Sequence, residues 1–158
     1  MKYTVLAGRV LFSVIFIIAS AEHFSSGTID YAVREGVPMA RLLVPLSGIL
    51  ALMGGLSVLV GFQTRLGAAS LVAFLLPVTF EMHRFWTAPD ATTFVIEQAM
   101  FMKNLSMLGG ALIISYFGAG PLSLDAFVEG DYSGGPRHHA GPSDSAATRW
   151  RTFGTPVT

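Results

Sequence analysis

The stretch Glu97–Asp125, EQAMFMKNLSMLGGALIISYFGAGPLSLD, decides the fold. It is long enough to cross a bilayer, which takes about 20 helical residues. It stops at Gly118-Ala119-Gly120-Pro121, where glycine and proline end a helix. Inside the run sit Lys103 and Asn104. At about 1.5 Å of rise per residue, Lys103 lies roughly 9 Å in from Glu97. An ammonium at that depth costs a few kcal/mol (about 2.5–3.5 on insertion scales) unless it snorkels or is paired. The identity of its partner is the question around which the rest of the chain is read.

Composition places the whole chain in a membrane. Of 158 residues, 52% are hydrophobic and 13% charged, against about 25% charged in a soluble domain. Mean hydropathy is +0.58. The net charge of zero and the lack of any nucleic-acid-binding motif argue against nucleic acid as a partner. With no cysteine, disulfides, thiolate catalysis, Cys-ligated iron–sulfur clusters and CxxCH haem attachment are excluded. A redox role would need a bound organic cofactor, a His-ligated centre or a partner protein.

Three further apolar runs precede the quoted stretch. The spans expected are 3–22, 42–62, 66–85 and 97–117. In the first, Arg9, Ser13, Ser20 and His23 fall within about 40° of one line at 100° per residue, a polar stripe. Arg9 is read as snorkelling to the interface, and the serines as bonding back to their own helix. A polar loop follows, with room for a short interfacial helix around 29–35. Gly48, Gly54, Gly55 and Gly61 mark the second span as a packing helix. Pro45 is placed in its first turn, where a missing N–H does little harm. Pro77 is expected to kink the third span, and Phe85-Trp86 to anchor its end at the interface. The expected architecture is an all-α integral membrane protein, an antiparallel four-helix bundle over 1–125, with a polar, mobile C-terminal tail over 126–158. Lys2, Arg65, Arg137, Arg149 and Arg151 would share the side of both termini, which the positive-inside rule makes cytoplasmic.

These directions bring Glu22, His23, Glu81, His83, Arg84, Lys103 and Asn104 to one level near the opposite leaflet. Glu81 and Arg84 share a helix face and are expected to pair locally. Lys103 is expected to pair with Glu22 or Glu81. Three readings stay open. The charges form an interfacial ring that fixes helix ends. Alternatively, His23, Glu81, His83, Lys103 and Asn104 wall a pocket for a quinone head group, which imidazoles and carboxylates can hydrogen-bond. The third, His23 and His83 as a bis-His haem or metal pair, is the weakest, and no metal site is assigned.

The motifs resemble the DoxX family of small bacterial membrane proteins. The likeness runs over most of Gly8 to Asp125. It rests on Arg9, Gly36-Val37-Pro38, Gly54-Gly55, Gly61-Phe62-Gln63-Thr64-Arg65, His83-Arg84-Phe85-Trp86 and Phe101-Met102-Lys103-Asn104-Leu105 with Gly109-Gly110. The ending Gly118-Ala119-Gly120-Pro121-Leu122-Ser123-Leu124-Asp125 is its most specific part. The resemblance implies a four-helix protein of the bacterial inner membrane linked to redox chemistry. Relatives occur as subunits of thiosulfate:quinone oxidoreductase, or in membrane assemblies with superoxide dismutase and a sulfurtransferase. No catalytic residues carry over. Two positions depart from the pattern: Ala51-Leu52-Met53 stands where many relatives have a glutamate before Gly-Gly, and Glu22-His23 where many have a lysine. The reading is a quinone-associated or anchoring subunit of a redox complex rather than a stand-alone enzyme, with other membrane or peripheral subunits as partners. The alternative is a non-catalytic assembly subunit of another membrane complex.

Overall fold

A computed structural model of the chain describes residues 2–132. The described residues form six α-helices and no strand: α1 Lys2–Glu22, α2 Ser26–Arg34, α3 Ala40–Val60, α4 Thr64–Met82, α5 Ala91–Phe117 and α6 Leu124–Tyr132. Four of them, α1, α3, α5 and α4 with the turn that follows it, are long and apolar enough to span a membrane. The four expected spans are present. Helix α6 crosses the expected boundary at 125/126, and residues 133–158 of the expected tail lie outside the described residues.

The helix starts differ from expectation for reasons of capping. Helix α5 begins at Ala91, six residues before the expected start, because Asp90 accepts the Thr93 N–H at 2.9 Å as an N-cap. Likewise Ser25 caps α2, accepting the Thr28 N–H at 3.2 Å. Helix α3 starts at Ala40, so Pro45 falls in its second turn rather than its first. Phe85 and Trp86 form a short 3-10 turn. Phe85 packs on Phe94 and Phe101, and Trp86 on Phe101, at ring distances of 5.4–5.9 Å around that turn.

Packing follows the small residues. Helix α1 lies along α3, α3 along α4, and α4 along α5. Gly55 lets α3 approach Ser13, Phe16 and Ile17 of α1, and Gly54 and Gly67 let α3 and α4 close on each other. The core is Phe16, Ala51, Val58, Ala68, Leu71, Phe74, Leu75 and Ala111. Helices α1 and α5 do not pack along their length. They meet chiefly where Phe12 lies on Gly110, so close that a Cβ there would sit 2.9 Å from the ring. Amphipathic α2 lies across the far end of the bundle, its Ala32 packed with Ala40 and Val44 of α3.

Candidate functional site

Polar groups gather at both ends of the bundle, and the two gatherings differ in kind. At the end carrying Lys2, Arg9 is buried (4% exposed) rather than snorkelling. Its guanidinium donates to the Ala119 carbonyl at 2.8 Å and to the Leu59 carbonyl at 3.2 Å. These are carbonyls at or just beyond helix C-termini, where a cation is favoured. Gly61 sits against it with φ +73°, and a Cβ there would fall 2.8 Å from the guanidinium and 2.5 Å from Ser123. Asp125 completes the arrangement as an N-cap from a distant part of the chain, accepting the N–H groups of Gln63 at 2.7 Å and Thr64 at 3.0 Å. Burial pushes the Asp125 carboxyl up, but the hydrogen bonds from Thr64 and Gln63 and the charge of Arg9 outweigh it and hold the group below its ordinary value. A hollow of about 510 Å³ opens beside these residues. Its central carboxylate is already engaged as a cap, which makes this end a clasp. The serines of α1 bond back to their own helix as expected, Ser13 to the Arg9 carbonyl and Ser20 to that of Ile17.

At the far end a cavity of about 410 Å³ lies among the end of α1, α2, α3 and α4. Its wall is mainly apolar, with Val37, Leu43, Val44, Leu50, Phe74 and Val78 in it, and His23 and Glu81 bring polar atoms to it. The ring of His23 is positioned from three sides. Its Nδ1 lies 2.8 Å from the Ala19 carbonyl, its face packs on Phe74 at 5.6 Å, and its Cβ nests against Gly48, where a Cβ would sit 2.6 Å away. A carbonyl only accepts, so Nδ1 carries the proton and Nε2 of the neutral ring is the free acceptor.

Of the five expected site residues, the structure brings His23 and Glu81 to one cavity and places the other three elsewhere. His83 caps the end of α4, with Nδ1 2.8 Å from Glu97 Oε2. Asn104 is buried on the inner face of α5. Lys103 is exposed, and its Nζ meets Met100 Sδ at 3.4 Å rather than Glu22 or Glu81. The reason is azimuthal: shared depth does not make shared direction, and Lys103 faces out of the bundle beside α1. The local Glu81–Arg84 pair does not form either. Arg84 instead donates to the Glu35 carbonyl at 2.6 Å and approaches its carboxylate at 3.5 Å.

Sequence reasoning missed Tyr31, Glu35 and Glu97, which tie α2 to the bundle. The Tyr31 phenol lies near Glu97, the same carboxylate that holds His83. Burial first, then the charges of Glu97 and Glu35, push the Tyr31 phenol above its ordinary value. The signal available was amphipathicity in 26–34, which places Tyr31 on the side of α2 next to the bundle. Among the described residues no group of three or more His, Cys, Asp or Glu could hold a metal ion.

Comparison with known proteins agrees with this architecture. The family model described as DoxX matches residues 4–84, just over half of the chain. The inner membrane protein YqjF of Escherichia coli is 34% identical over 126 residues, covering 78% of this chain and 91% of that one. The inner membrane protein YphA of the same organism is 28% identical over 124 residues, covering 76% and 86%. A Surfeit locus protein 4 homolog of Schizosaccharomyces pombe is 31% identical over 124 residues, with 78% of this chain and 37% of that protein aligned. No solved structure matches the chain significantly.

Proposed function

Because this chain belongs to the DoxX family of membrane proteins, we propose that its far-end cavity binds the head group of a quinone or quinol, making it a quinone-associated membrane subunit. The observation that supports this reading is the pairing of a largely apolar 410 Å³ cavity with a few polar side chains, the ionisable His23 and Glu81 and the hydroxyls of Thr28 and Ser47. Small-molecule sites have this composition and fall in the range of about 300–1,000 Å³. A quinone head group is a largely apolar ring with two oxygens at opposite positions, so it needs an apolar wall and one or two polar contacts. When bound, such a group supplies two-electron, two-proton carrier chemistry.

The protein's own residues favour one form of it. The Ala19 carbonyl engages His23 Nδ1 and leaves Nε2 of a neutral ring as an acceptor, and a carboxylate at Glu81 accepts only. Two acceptors suit the hydroxyls of a quinol better than the carbonyls of a quinone. Thr28 and Ala32 of α2 and Val37-Pro38 wall one side of the cavity. By the positive-inside rule the termini are cytoplasmic, so the cavity opens toward the outer leaflet of a bacterial inner membrane.

The test is binding of a short-chain ubiquinol analogue and its quinone to purified protein, read by intrinsic fluorescence quenching, in wild type, His23→Ala and Glu81→Gln. The expected result is tighter quinol than quinone binding at pH 8, with about tenfold weaker quinol binding in each folded variant. Equal binding by all three proteins, or none by wild type, would defeat the proposal.

A further inference from the structure

The seam between α1 and α5 carries the strongest unexplained feature of the molecule. Helix α5 is the least enclosed of the four spans, with 11% of its apolar window buried against 22–33% for the others. Its contact with α1 is centred on Phe12 and Gly110. Lys103 lies seven residues before Gly110, so it faces within about 20° of the same direction and roughly 10 Å further toward the far end. Glu22 lies ten residues after Phe12, roughly 15 Å toward the same end, and is turned about 80° from Phe12 away from the core. The seam therefore presents one ammonium and one carboxylate within about one helix turn of each other in height. Both side chains are exposed, and neither has an ionic partner among the described residues.

An unpaired ammonium within the span is costly in lipid and calls for a counter-charge. A surface bearing one charge of each sign at nearly one level is self-complementary. A two-fold axis along the membrane normal would bring each Lys103 to the Glu22 of another copy, twice over. A small residue widens the opportunity. Ser106 is exposed one turn from Lys103 on the same side. We propose that the α1–α5 seam is the face by which two copies of this chain associate in the membrane, with reciprocal Lys103–Glu22 pairs between them. This inference is independent of the quinone reading, since the seam and the cavity share neither charge.

Charge exchange separates pairing between copies from pairing within one. Full-length protein bearing either of two affinity tags is co-expressed, extracted in mild detergent and isolated on one tag, and the other tag is quantified. Wild type should co-isolate with wild type. Lys103→Glu alone and Glu22→Lys alone should each lose co-isolation at least tenfold. Mixing the Lys103→Glu copy with the Glu22→Lys copy should restore it, because both inter-copy pairs are then opposite in charge, whereas any pair within one copy stays like-charged. Monomeric wild type, unchanged single variants, or an unrestored mixture would each overturn the proposal. A second measurement needs no charge change. In this cysteine-free chain, Ser106→Cys should cross-link copies through a short bis-maleimide in membranes, and Leu112→Cys on the other side of α5 should not. Equal cross-linking at both positions, or none at Ser106→Cys, would likewise overturn it.

Discussion

The two ends of the bundle use their polar and charged residues to opposite effect. At the terminus end, Arg9, Gly61, Ala119 and Asp125 close on one another, with each hydrogen bond running between segments far apart in the chain. At the far end, His23 is held by its own helix and by Phe74, and Glu81 has no partner among the described residues, so polar atoms are left facing a cavity. A charge in a membrane protein is therefore not by itself a sign of a site. What separates a fastener from a binding group is whether its hydrogen-bonding capacity has been used within the fold.

The contrast can be broken most sharply at Arg9. Arg9→Met fills similar space but strands two carbonyls and removes the counter-charge of Asp125. Unfolding in detergent should show a loss of about 2–4 kcal/mol, with quinol binding by the surviving folded fraction nearly unchanged. A variant as stable as wild type would mean that the terminus end is not a clasp. The next effect belongs to the other end. Gly48→Ala places a methyl 2.6 Å from the His23 Cβ and must shift that ring. Quinol affinity should fall about tenfold, about 1.4 kcal/mol, with a smaller loss of stability. Unchanged affinity would separate His23 from the ligand.

The smallest effect is a pH dependence at Asp125. Its folded pKa is depressed, so its contribution to stability is complete above the ordinary carboxylate range. That contribution is lost as the pH falls below about 4 and through the lower folded value. Asp125→Asn should cost about 0.5–1 kcal/mol at neutral pH, since water screens a partly exposed cap, and should flatten the acid limb of a pH–melting curve. An unaltered acid limb would assign acid sensitivity to other carboxylates.

Much of this could be read from the residues. The break at Gly118-Ala119-Gly120-Pro121 and the apolar runs marked the spans, and helix direction put Glu22, Glu81 and Lys103 toward the same end of the bundle. Azimuth was not legible. Lys103 shares a level with Glu22 and Glu81, but which way it faces depends on how α5 packs against α4, and that is set by many small contacts. Arg9 was misread for another reason. Its acceptors are backbone carbonyls of Leu59 and Ala119, and a carbonyl leaves no mark in a sequence. Glu35 was seen as a loop charge. Only the fold of α2 back over the bundle puts it beside Arg84.

The bond from Arg9 to Ala119 joins positions 110 residues apart, and this sets an order of events during biosynthesis. The first helix enters the membrane long before the ribosome has made its acceptor. Through much of translation the nascent chain carries an arginine with at most one of its two carbonyl partners, that of Leu59. Closure waits for the segment after α5, which supplies both the Ala119 carbonyl and the Asp125 carboxylate. A product truncated before that segment would leave the guanidinium with the Leu59 carbonyl alone, and so would differ chemically from a finished chain at this end of the bundle.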